Sequence, residues 1–84
     1  MPSDFDALFD DDARTESGVL EVLPGGWGFL RRNGFGPGSR DIYVAQALIN
    51  GAGLKTGDTI TGPVRPPRET ERHRALVRVR SINQ

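Results

Sequence analysis

The sequence predicts a small all-β domain: five short strands closing, or nearly closing, into a barrel, with one short helix between the third and fourth strands. Three observations carry this. Apolar residues recur at every second position in several short segments, the period at which a strand turns one face inward. Clusters of glycine and proline separate those segments. A chain of 84 residues also has room for one domain and a modest core.

In chain order, "GVLEVL" (18–23) is the first strand, with Leu20 and Val22 on one side of Glu21. Pro24, Gly25 and Gly26 mark a turn. "WGFLRR" (27–32) is the second strand: Trp27, Phe29 and Arg31 share one face, while Gly28, Leu30 and Arg32 share the other. "NGFGPGSR" (33–40) is a loop. "DIYVA" (41–45) is the third strand, with Ile42 and Val44 inward and Asp41 and Tyr43 outward. "AQALINGAG" (45–53) has length for one or two helical turns before its glycines end it. "KTGDTITGPV" (55–64) reads as a turn and the fourth strand. The prolines of "RPPRETERH" (65–73) forbid a central strand, so this is a charged loop. "RALVRVRSI" (74–82) alternates again, with Val77 and Val79 inward; Leu76 and Ile82 fall on the arginine parity, which points to a bulge or an apolar patch. A helix after the third of five strands favours an OB-type barrel over an SH3-like one.

Charge divides the chain. Residues 1–17 hold six acids and one base, a sum of −5; residues 18–84 hold ten bases and five acids, a sum of +5. The expected organisation is a disordered acidic tail over 1–17 and a basic domain over 18–84. Phe5, Leu8 and Phe9 have the spacing of one helical face, too short to fold alone but able to meet a partner. A basic domain suits a polyanion, although the same charge also serves as an ordinary solvated surface.

Several classes of function are disfavoured. The chain has no cysteine, hence no disulfide framework and no thiolate metal site. It has no signal peptide pattern and no apolar run of the ~20 residues a membrane span needs, so a cytoplasmic location is expected. His73 has no second histidine beside which to bind a metal. No G-x-x-x-x-G-K-[ST] loop is present; "GFGPG" (34–38) has no following lysine. The expectation is a binding module without cofactor or metal, and not an enzyme.

"GWGFLR" (26–31) followed by "DIYV" (41–44) resembles the paired aromatic motifs of cold-shock-type RNA-binding domains. The wider pattern "GVLEVL…GWGFLR…DIYV…LKTGDTITGPVRPPRETER" is similar to the RNA-binding domain of the bacterial transcription termination factor Rho, over about residues 18–82. The resemblance implies an aromatic platform at Trp27 and Phe29, with Arg31 contacting phosphate or base. It places Asp41 and Tyr43 beside that platform, Tyr43 stacking a base. It also assigns Glu71 and Arg72 to a loop that closes over a pyrimidine and favours cytosine. His73 stands where the family carries an aromatic, and the base usual near "INGAG" (49–53) is absent. Rho-type proteins also carry a helical subdomain before this domain and a motor domain after it.

Simple chemistry runs parallel to the resemblance. Aromatic faces stack any base, so discrimination needs a pocket that reads a base edge. A carboxylate such as Asp41 or Glu71 accepts from the exocyclic amine of cytosine, which uracil lacks, and an arginine donates to the carbonyl oxygen. Duplexes hide these faces, so single-stranded, pyrimidine-rich RNA is the expected partner, with single-stranded DNA as the variant. The competing expectation is a regulatory interaction protein, a mimic or modulator of Rho that grips a protein through the acidic tail.

Overall fold

A computed structural model describes residues 14–31 and 40–83. Its strands are β1 (Arg14–Val22), β2 (Gly28–Arg31), β3 (Ile42–Val44), β4 (Thr59–Arg65), β5 (Arg74–Leu76) and β6 (Ser81–Ile82), with one helix, α1 (Gln46–Ala52), between β3 and β4. The strands follow the order β1-β2-β3-β5-β4-β6, and an additional β1–β4 pairing closes the barrel. All pairings are antiparallel except β3 with β5. The expected OB-type barrel with a helix after its third strand is therefore the observed architecture.

Alternation builds the core. Leu20 stands opposite Leu30, and Leu30 opposite Ile42, so one row of side chains fills the interior across three strands. Val44, Ile60, Val64 and Leu76 extend it, and Ile49 of α1 and Leu54 join the same cluster. Helix α1 ends where its glycines predict: Gly53 adopts a left-handed φ of 64° and its N–H bonds to the Ile49 carbonyl.

β1 begins at Arg14, four residues before the expected start at Gly18. Arg14–Ser17 pair with Thr61–Val64, so cross-strand bonding overrides the acidic local composition, and Glu16 is held in an ion pair by Arg74. The remainder of the proposed tail, with Phe5, Leu8 and Phe9, lies outside the described residues. β1 leaves β4 and joins β2 around Gly18 and Val19. A Cβ on Gly18 would fall 2.9 Å from the Leu30 Cβ, so this crossing requires glycine.

The fifth expected strand is present but broken. β5 and β6 lie along the same edge of β4, separated by residues 77–80. Within that gap the Val77 N–H bonds to the Pro63 carbonyl and the Arg80 N–H to the Thr61 carbonyl, the signature of a bulge. The register of β5 sets Leu76 opposite the buried Val64. Leu76 is buried and Val77 is exposed, the reverse of the assignment from alternation, and Val79 is only partly buried. Gly62 faces this bulge: a Cβ there would come 2.1 Å from the Arg78 carbonyl oxygen. Gly62→Ala should therefore cost at least about 1 kcal/mol in urea unfolding, because the clash is with backbone and has no side chain to swing away. An unchanged midpoint would mean that the bulge yields freely.

Candidate nucleic-acid interface

The register that builds the core also builds the opposite face. Glu21 stands across from Phe29, Phe29 across from Tyr43, and Tyr43 across from Ala75. Phe29, Tyr43 and His73 converge there. The Phe29 ring lies 6.1 Å from Tyr43 at an interplanar angle of 73°, and 4.9 Å from His73 at 60°. Such edge-to-face contacts hold the rings of a cluster in place while leaving other faces free. Tyr43 is 36% exposed, while Phe29 and His73 are half-buried.

Trp27 sits just before β2 and is 39% exposed, clear of the core. It is not part of the three-ring cluster. Its indole lies over Gly25, where a Cβ would fall 1.7 Å from the ring. The turn that presents it is closed by the Gly26 N–H on the Leu23 carbonyl and by the Leu23 N–H on the Trp27 carbonyl, with Gly26 at a φ of 100°. The Pro-Gly-Gly turn thus serves the tryptophan directly: one glycine supplies the positive φ and the other the space beneath the ring.

Arg31 and Asp41 occupy positions that strand parity does not reveal. Asp41, expected to point outward, is buried, and it forms an ion pair with the Arg31 Nη1. The same guanidinium donates from Nε and Nη2 to the Glu21 Oε1 at 3.0 and 2.8 Å. Its Cζ lies 5.2 Å from the centre of the Phe29 ring, within cation–π range. Burial alone would lower the Arg31 pKa, but hydrogen bonds and charge from Glu21 and Asp41 raise it overall. Arg31, expected to contact phosphate or base, is instead engaged by two carboxylates, Asp41 and Glu21, beside the Phe29 ring. For Glu21 the signal was available in the sequence, since it shares the outward parity of its strand with Phe29 across the ladder.

Glu71, Arg72 and His73 come together as expected. With Tyr43 and Ala75 they line an open cavity of about 240 Å³. Glu71 is tied within its own loop: its Oε1 accepts from the Arg65 Nη1 at 2.7 Å and from the Arg68 N–H at 2.8 Å, and its Oε2 accepts from the Arg65 Nη2 at 3.0 Å. Arg65 hydrogen bonding, then the Arg68 N–H, holds the Glu71 carboxyl down at about 2, from 4.5. Arg72 is exposed and has no ion-pair partner among the described residues, so its guanidinium is available to an anion.

The Glu71 shift sets a pH window. A depressed carboxyl contributes to the loop's order fully above its unfolded value of 4.5, and loses that contribution as pH falls through about 2. A carboxyl ¹³C titration of Glu71 should accordingly show its midpoint near 2. A midpoint near 4.5 would mean that the Arg65 pair does not persist in solution.

The chain is similar to known proteins. A family model described as "Rho termination factor, RNA-binding domain" matches residues 16–84. Transcription termination factor Rho of Aquifex aeolicus is 53% identical over 68 residues. The Pseudomonas aeruginosa and Escherichia coli K12 proteins of that name are 52% and 48% identical over the same length. Each match covers 79% of this chain and 16% of the relative, so the chain spans about a sixth of the length of these relatives. With its β-barrel, its aromatic face and a family match that runs from within β1 to the last residue, the chain belongs to the family of Rho termination factor RNA-binding domains.

Proposed function

We propose that this chain binds single-stranded RNA across the β2–β3 face, prefers pyrimidine-rich and especially cytosine-rich sequence, and serves transcription termination in the cytoplasm. The observation that carries the reading is the grouping of Phe29, Tyr43 and His73 beside a cavity walled by Glu71 and Arg72. Bases stack on the rings, Arg72 meets phosphate or a base carbonyl, and the pocket selects. Its volume is small beside the roughly 300–1,000 Å³ of ordinary ligand pockets, which suits one base. Membership of a family described by RNA binding supports the same reading. Among the described residues no helix is long and apolar enough to cross a membrane.

Trp27 is the only tryptophan and sits beside the face, so its fluorescence is a direct reporter. Titration with oligo-C, oligo-A and a duplex should give tight, weaker and negligible quenching in that order. Equal affinity for oligo-C and oligo-A would leave a generic stacking surface; no binding to any single strand would refute the reading. Oligo-dC in the same assay tests DNA as a partner.

The acidic segment enters here as a competitor. Since β1 starts at Arg14, the segment to remove is 1–13, which holds five acids and no base. The remaining 71 residues carry eleven bases and six acids, a sum of +5. Deleting 1–13 should tighten oligo-C binding several-fold at about 20 mM salt, and the gain should shrink by about 200 mM as screening grows. Identical affinities at low salt would favour the other role for this segment, contact with a protein partner.

A further inference from the structure

We infer that Arg65 is a positioning residue: from the end of β4 it holds the loop 66–72 closed before any ligand arrives, so that the cavity wall is preformed. The inference rests on the RNA-binding reading for its consequence but not for its geometry. Arg65 does not line the cavity. It makes a two-point fork onto Glu71, and a third donor, the Arg68 N–H, converges on the same carboxylate. The Glu71 N–H bonds back to the Arg68 carbonyl, and the Arg65 Nη1 also donates to the Pro66 carbonyl at 3.1 Å. Both ends of the loop are thereby fastened to one guanidinium.

This arrangement solves a specific problem. The segment "PPRET" (66–70) is exposed throughout and contributes nothing to the core. Without a brace, such a loop would have to be ordered when the base binds, at a cost in affinity. A forked pair has the geometry to prevent that, because two parallel N–H···O bonds fix direction as well as distance. Lysine at this position would keep the charge and lose the fork. Glu71 then acts first as the anchor of the wall, and the neighbours it fixes in place, Arg72 and His73, face the ligand.

The test has two arms on the full chain. In the first, without RNA, amide exchange of Arg68 is compared in the wild type, Arg65→Met, Arg65→Lys and Glu71→Gln. The Arg68 N–H should be protected in the wild type, unprotected in Arg65→Met and Glu71→Gln, and intermediate in Arg65→Lys. In the second, the ratio of oligo-C to oligo-A affinity is measured for the same proteins. Arg65→Met should lower that ratio by about fivefold, the size of one well-formed charged contact, with oligo-A binding and thermal midpoint little changed. Arg65→Lys should recover part of the ratio. Protection of the Arg68 amide that persists in Arg65→Met overturns the inference, and so does an unchanged ratio. Equal loss for both oligonucleotides also overturns it, since a preformed wall acts on selection. A wild type that does not distinguish the two oligonucleotides refutes the pyrimidine reading instead, and the exchange arm still decides whether the loop is held closed.

Discussion

Arg31→Met should destabilise the fold by about 2–3 kcal/mol, the largest effect expected from any single change outside the hydrophobic core. The guanidinium side chain is only 10% exposed, and the Asp41 carboxylate with which it pairs is 7% exposed. Removing the cation takes its paired charge away from a buried carboxylate, and breaking a fully enclosed ion pair costs roughly 3–5 kcal/mol. The lower figure applies because the second acceptor, Glu21, is 45% exposed and can turn to water. Methionine preserves much of the volume, so the loss reports charge and hydrogen bonding. Arg31→Lys should fall between the two, since an ammonium cannot reach Glu21 and Asp41 with the same spread of donors. Urea unfolding monitored by circular dichroism measures this directly; a loss below about 0.5 kcal/mol would show that Asp41 is satisfied without Arg31.

Phe29→Ala should cost about 1–3 kcal/mol of oligonucleotide binding, the range of one base–aromatic stack. The ring does two things. It offers a face to a base, and it is the common neighbour of Tyr43 and His73, so its removal also loosens the rest of the platform. Trp27→Ala should lose a similar amount through stacking alone, and with less effect on stability, because the indole stands outside the core. Both variants should stay folded by circular dichroism. If Phe29→Ala unfolds the domain, the ring belongs to the core; if it binds oligo-C as tightly as the wild type, the β2–β3 face is not where bases stack.

How much of this was visible in the sequence depends on the range of the interaction involved. The barrel, the helix and the aromatic face follow from local alternation, which is why Leu20, Leu30, Ile42 and Val44 are found inside while Trp27 and Tyr43 are found outside. Two features needed the partner strand. Arg14–Ser17 have little intrinsic reason to be a strand, and become one because β4 offers a free edge. Leu76 and Val77 exchange their expected sides because β5 pairs with Leu76 opposite the buried Val64. The site divides in the same way. Tyr43, Glu71, Arg72 and His73 meet at one cavity, as the resemblance implies. The ties of Arg31 to Asp41, and of Arg65 to Glu71, are side-chain choices that no spacing encodes. Arg31, Asp41 and Glu71, each expected to face an RNA, are in the fold already paired with other side chains.

Where oligonucleotide meets the barrel is read directly by an amide shift map of the ¹⁵N-labelled chain during titration with a short oligo-C. The largest changes should fall on Phe29, Tyr43, Glu71, Arg72 and His73, with Trp27 moving alongside them, while α1 and β6 stay still. Changes centred on α1, or on the exposed Val77 and Ile82, would place the ligand elsewhere on the barrel and rule out binding across the β2–β3 face.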